Sequence, residues 1–458
     1  MPLDHCSGHI EANDCKAFKR IILGDYKLMF GSGLVLGNSF IFKQQTNYSR
    51  NGISHYAGTS ESGFMRGFAT ELEFRKVKFT PFISYHTIDA TLNPDSSFSS
   101  FYTSGLHRTE LERSKADNMG ELVSGGNISL ALGRFSLGTT RLYVPQDKLY
   151  NYYKPTDTDH GNNVSINYSY SGKVAGFTGE IAKSRNGDGF AIINQLQLSR
   201  NGFIDAHITH RYYSPEYFAP YANAVRENTR VENEHGLLTS LDFHFSRKFS
   251  LNLYADLFSF EWLKYGVSAP SVGKDFSAQA KLNPNDYNEF SVRYRFKHKE
   301  KDFDHQLATF ETNSVRLYYK TKPLDWLLSK TTINGNACSR DSEKNTYGFH
   351  IQENITLSVP DNRFSFSMLY AYFSAKDYNN RIYCYETEIP GYFYSPMNYG
   401  VGHRFGCLVS CRCGKVINLY VKYSRISYVD GRSTISSSGE EISGNNKSEI
   451  RAALKLRW

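Results

Sequence analysis

Arg293, Arg295, Lys297 and Lys299 stand at alternate positions of one stretch, and Arg451, Lys455 and Arg457 do the same near the end of the chain, with Ala453 between them. Alternate side chains of an extended chain share a face, so each set makes a basic row opposite an apolar one. Val292, Tyr294 and Phe296 accompany the first row, and Ile450, Ala452, Leu454, Leu456 and Trp458 the second. A row of Arg and Lys lining a water-filled interior favours anions. Where Asp and Glu of neighbouring strands face it, it forms ion pairs instead, the commoner outcome because an isolated charge in a closed interior is costly. Arg293, Arg295, Lys297, Arg451, Lys455 and Arg457 are the candidate lumen residues under either reading.

Other chemistry has weaker support. His86, His107, His160, His207, His210, His235, His244 and His350 are scattered, and catalysis needs a geometric constellation rather than an abundance of histidine. Asn186-Gly187-Asp188-Gly189 resembles half a calcium loop without its later acidic ligand, and reads as a hairpin turn. Cys407, Cys411 and Cys413 share one parity, a spacing that suits neither a disulfide nor, without a ligand-spaced His, zinc. Gly31, Gly33 and Gly37 lack a G-x-G-x-x-G register and read as bends or bulges. The expectation is no catalytic residue, no cofactor and no metal. Tyr213, Tyr217 and Tyr221, in the SPEYFAPYANA stretch, suit a loop that folds inward as a plug or binds a partner, with ordinary loop packing as the plainer account.

The elements that must carry these rows are two-faced strands. Phe364, Phe366, Met368, Tyr370 and Tyr372 alternate with Ser365, Ser367, Leu369 and Ala371, the period of 2 that marks a strand with one apolar face. Hairpins of this kind are expected over residues 18–42, 65–90, 122–144, 163–183, 189–212, 235–260, 275–299, 312–336, 347–374, 382–413 and 416–458. They amount to roughly 22 strands, within a range of about 18–26. Connections alternate between short turns and longer loops, as in outer-membrane barrels. Pro81 predicts a bulge in its strand. Thr109 and Glu112 have capping-box spacing for a short helix in a loop, and a second helical insert is expected after Ser214-Pro215.

Composition agrees with a barrel. The chain has 458 residues, more than one ordinary soluble core of about 250–300 residues holds, yet no linker divides it. Aromatic residues make up 15% while the mean hydropathy is −0.49, a pairing that suits strands with one wet face and aromatic girdles. No window of about 18 apolar residues is present, which excludes transmembrane helices. The net charge of +8 is weak support for a nucleic-acid partner. Residues 1–17 are expected to lie outside the barrel and 18–458 to form it. The first twenty residues hold no apolar h-region, so a signal peptide is expected upstream of this chain. In the last strand Ile450, Leu454, Leu456 and Trp458 form the expected lipid-facing row and assembly signal, with the strand near Ile21–Phe30 as its expected closing partner.

Several segments carry a family resemblance: GDYKLMFGSGLVLG at Gly24, GLHRTELE at Gly105, RYYSPEYFAPYANAVREN at Arg211, FEWLKYGVSAPSVGKDF at Phe260, YNNRIYCYETE at Tyr378 and GEEISGNNKSEIRAALKLRW at Gly439. Together they span nearly the whole chain, which resembles the barrel region of the helix-hairpin-helix domain-containing outer-membrane proteins of Bacteroidota-type Gram-negative bacteria. The resemblance implies a signal peptide and a small helical domain, similar to the DNA-binding part of competence proteins, ahead of the barrel. Neither is in this sequence, so no DNA-binding residue follows.

The expectation is therefore an all-β, transmembrane antiparallel β-barrel of a Gram-negative outer membrane, with short helical loop inserts. Its partners would be outer-membrane lipid, lipopolysaccharide and the barrel-assembly machinery, with DNA only through the missing domain. Function is expected to be non-enzymatic translocation or docking. The alternatives are the barrel part of a surface DNA-binding or uptake protein, and a lipid-modifying barrel enzyme.

Overall fold

The computed structural model describes residues 5–37, 51–94, 98–145, 160–184, 189–200, 202–341, 343–359, 363–414, 416–436 and 441–456. The fold is of the all-β, antiparallel β-barrel class expected, with twenty-two strands in one sheet among the described residues. The chain divides into two compact units, Met1–Leu241 with Asp256–Gly273, and Asp242–Ala255 with Lys274–Trp458.

In the first unit His9–Cys15 pairs with Phe18–Met29, Gly52–His55 continues along the same edge of that strand, and Met65–Phe74 takes the other edge. Val77–Ile88, Met119–Leu132, Phe135–Pro145, His160–Ser171, Ala175–Ser184, Phe190–Arg200 and Ile204–Tyr213 then follow in chain order, each antiparallel to the next. The second unit continues this way from Asn288–Phe303 through Gln306–Leu324, Leu327–Arg340, Thr346–Ser358, Phe364–Ala375, Gly400–Cys413 and Ile417–Tyr428 to Asn446–Leu456. Tight turns set these registers. At one of them the Asn285 side-chain oxygen accepts from the amides of Tyr287 and Asn288, at 3.0 and 2.9 Å, an Asx turn that reverses the chain.

Burial along the strands is inverted relative to a water-soluble sheet. In His160–Ser171 the polar Asn163, Ser165 and Asn167 are 0, 1 and 8% exposed, while Val164 and Ile166 are 44 and 53% exposed. Thr346–Ser358 repeats this, with His350, Gln352 and Asn354 buried and Phe349, Ile351, Ile355 and Leu357 exposed. These strands thus turn a polar row inward and an apolar row outward.

The polar row of the first unit is covered by two segments. Residues 214–233 lie against the turn 30–37, with the Tyr217 hydroxyl donating to the Leu34 carbonyl at 2.8 Å and the Asn223 amide to the Gly33 carbonyl at 2.8 Å. Gly33 has a φ of +85°, and a Cβ there would sit 2.7 Å from the Asn223 carbonyl oxygen, so both backbone conformation and close approach require glycine. Glu180, on the wall, accepts from the amides of Ser32 and Leu34 at 2.7 and 3.0 Å. The glycine-rich stretch is therefore a tight turn whose amides hold a carboxylate of the chain itself. Arg211 pins the far end of the insert: its guanidinium meets Glu234 at 2.5 Å and Asp256 at 2.8 Å, all three fully buried. Glu234 also accepts from the amides of Glu227 and Asn228.

Five expectations need correction. Residues 1–17 do not all lie outside the sheet, since His9–Cys15 is one of its strands. The polar HIEANDC carries too little alternation to announce itself, and residues with positive φ at Asp14 and Lys16 make the turn into the next strand. Consequently the strand near Ile21–Phe30 has both edges occupied and is not the closing partner, and among the described residues the terminal strand pairs with its hairpin neighbour Ile417–Tyr428. Residues 214–233 form turns rather than a helix, because Pro220 interrupts them, the Asn223 amide donates across to Gly33 and the Tyr221 carbonyl accepts from Gly37. Residues 382–413 supply one sheet strand, Gly400–Cys413, plus a two-residue pair, Ile382–Tyr383 with Met397–Asn398. Pro81 makes no bulge: the ladder to Met65–Phe74 keeps its register through Ala69↔Phe82 and Leu72↔Phe79, without the rungs between them, as expected where a donor is absent. The loop helix is as expected, Glu110–Arg113 with Thr109 at its N-cap and a complete capping box. Residues 186–188 and most of the loop 144–162 lie outside the described residues.

Candidate functional site: a basic cavity on the polar face

Strand parity places Arg293, Arg295, Lys297 and Lys301 on one face of Asn288–Phe303, opposite the exposed Phe290, Val292 and Tyr294. The next strand sets Arg316 directly across from Arg293 in register. The segment after Phe364–Ala375 adds Arg381, and these six cations line a cavity of about 310 Å³ in the second unit. Asn334, on the third strand, completes the wall.

Their fixings differ. Arg295 donates to Asp275 through Nε at 2.7 Å, and Lys297 lies 3.5 Å from the same carboxylate. Arg316 donates through Nε to the Asn334 side-chain oxygen at 2.5 Å and through Nη2 to the Tyr383 carbonyl at 3.1 Å. Arg381 donates to the Tyr378 carbonyl at 2.8 Å and lies over the Tyr378 ring. None of Arg293, Lys301, Arg316 or Arg381 forms an ion pair among the described residues.

A second cluster is neutralised. Residues 386–388 bring Glu386 against Arg404 and, at 3.1 Å, Lys422; Glu388 lies 3.1 Å from Lys422 and also meets Arg451. Arg451 donates to Glu449 at 2.6 Å as well. These carboxylates are almost fully buried apart from Glu449.

The structure thus brings Arg293, Arg295 and Lys297 together, in the cavity, and places Arg451 in the neutralised cluster. Lys455 is exposed, opposite Asn418 in register. Ile450, Leu454 and Leu456 share the exposed apolar row of the last strand. Arg457 and Trp458 lie outside the described residues. Sequence reasoning missed Lys301, Arg316, Arg381, Glu386 and Glu388. Lys301 continues the parity of the Arg293 row and was legible; the others depend on register or on an insert mistaken for a hairpin.

Two further groups have metal-ligand chemistry, His9 with Glu11 and His55, and Glu61 with Asp89 and His107. Internal bonds already occupy them. His55 Nδ1 lies 2.6 Å from Glu11, and the His107 ring has Asp89 3.0 Å from Nε2 and Glu61 4.0 Å from Nδ1. His350 sits beside Asn334 and His210 beside His235.

No protein-family model matches the chain, and no curated protein matches it. Among solved structures the chain is similar to the anion-selective porin from Comamonas acidovorans, with 9% identity over 69% of this chain and 92% of that one and a TM-score of 0.38. It is similar also to Pseudomonas aeruginosa FpvA bound to a pyoverdine, with 6% identity, 86% and 64% coverage and a TM-score of 0.45. The outer membrane channel DcaP of Acinetobacter baumannii gives 9% identity, 76% and 96% coverage and a TM-score of 0.34. Likenesses at this level leave the functional reading to the chain's own geometry.

Proposed function

We propose that this chain is an outer-membrane β-barrel that passes or docks a solute and performs no chemistry of its own. The observation that carries the reading is the inverted burial of its strands, with Asn163, Ser165 and Asn167 inside and Val164 and Ile166 outside. An exposed apolar row on strand after strand is unfavourable in water and favourable in a hydrocarbon layer. Strand length supports it, since Asn288–Phe303 has 16 residues and Thr346–Ser358 has 13, against the 9–11 or so that a tilted strand needs to cross a bilayer. The buried polar rows support an interior that is wet or filled by the chain's own inserts. The test is purification. A barrel requires detergent and migrates faster on a gel unheated than boiled; a monodisperse, detergent-free monomer would contradict the reading.

A further inference from the structure

We propose that the cavity framed by Arg293, Arg316 and Arg381 binds a small, multiply charged oxyanion from solution. This deepens the barrel reading and rests on it only in taking the polar face of the strands as the water side.

Charge balance motivates it. Arg293 and Arg316 are direct cross-strand partners, and like charges so placed destabilise a sheet. Four more cations line the same cavity, and the carboxylate in contact with the row, Asp275, is engaged by both Arg295 and Lys297. The same insert shows what neutralisation looks like in this unit: where Arg404, Lys422 and Arg451 converge, it supplies Glu386 and Glu388. At the cavity it supplies another cation, Arg381. The excess of positive charge is therefore local, and the segment that covers the polar face adds to it.

Geometry favours an oxyanion over a monatomic ion. Guanidinium groups present paired N–H donors that match carboxylate and phosphate oxygens. Arg316 is held by Asn334 and the Tyr383 carbonyl, and Arg381 by the Tyr378 carbonyl and ring, so binding costs little further ordering of either. The volume of about 310 Å³ is at the small end for a ligand pocket and admits a phosphate ester or a small polycarboxylate. The lining lies on the face opposite the exposed Phe290, Val292 and Tyr294, which points to a dissolved anion rather than a headgroup of a lipid whose chains lie outside.

The test is calorimetric titration of the full chain in detergent at low salt, with inorganic pyrophosphate and citrate as separate probes to distinguish phosphate from carboxylate chemistry. Saturable binding of at least one is expected, weakened about tenfold or more by Arg293→Gln with Arg316→Gln, since charge-assisted hydrogen bonds are removed. Arg200→Gln, on the first unit, is expected to change nothing. If the double variant fails to fold, Arg381→Gln, on the insert, is read in its place, and unweakened binding by it overturns the proposal. Failure of both anions to bind the folded protein, or equal binding by the double variant, also overturns it. A chain lacking heat-modifiable migration fails the barrel reading; a folded barrel that ignores both anions fails this proposal alone.

Discussion

Arg211 is a cation with no contact with water, held between Glu234 and Asp256. Removing one member of such a buried set leaves the others uncompensated, at a cost of about 3–5 kcal/mol. Arg211→Met is therefore expected to lower the unfolding temperature in detergent sharply and to free residues 227–228, whose amides Glu234 holds. Adding Glu234→Gln and Asp256→Asn to that variant should recover much of the loss, and an unchanged unfolding temperature in Arg211→Met would contradict the role. Side chains of this sort show how far residue reading reaches. That Arg293, Arg295 and Lys297 share a face follows from parity alone. That Arg295 and Lys297 meet Asp275, while Arg293 meets Arg316 across the ladder, depends on registers set by turns several residues away. Glu180 is harder still, because its partners Ser32 and Leu34 lie about 146 residues or more from it in the chain.

Among the elements, the loop helix Glu110–Arg113 was legible because its capping box is local: the Thr109 hydroxyl accepts from the Glu112 amide at 3.2 Å, and Glu112 accepts from the Thr109 amide at 3.0 Å. The Arg108 guanidinium, aided by the Thr109 and Arg108 amides, holds the Glu112 carboxyl down from the ordinary 4.5 to about 2. A carboxyl lowered in the folded state stabilises it fully above its unfolded value and loses that contribution as pH falls through the folded one. The loop around Leu111 is thus expected to loosen progressively as pH falls from about 4.5 to about 2. Pepsin cleavage there should rise as pH falls through that window, and Glu112→Gln, read at each pH, corrects for the protease. Cleavage already maximal near 4.5 would contradict the account. The insert 214–233 was not legible, because its internal backbone bonds are turns and others cross to Gly33 and Gly37, and helix propensity has no knowledge of those partners. Residues 382–413 misled for a related reason: their aromatic alternation belongs to a covering segment, whose Glu386 and Glu388 answer the strand cations.

At the scale of the molecule, the alternation of apolar and polar residues was enough to give the class and the strand number, because a two-faced strand writes its environment into every second position. Alternation by itself left the choice of outer face to composition, which pointed to the apolar one. Burial decides that: in each of the two units polar rows are inward and apolar rows outward, and segments of the chain cover part of the polar side. The same inversion gives the basic cavity its setting, since a row of cations opposite a lipid-facing row is a row facing water. The most direct test is spin labelling, one site at a time, of Ile166, Ile351 and Leu454 in the protein reconstituted into lipid, comparing collision with dissolved oxygen and with a water-soluble nickel complex. Labels at all three sites are expected to be reached readily by oxygen, which concentrates in the bilayer, and poorly by nickel. Ready access of the nickel complex to Ile166 and Ile351 would place those rows in water and contradict the barrel.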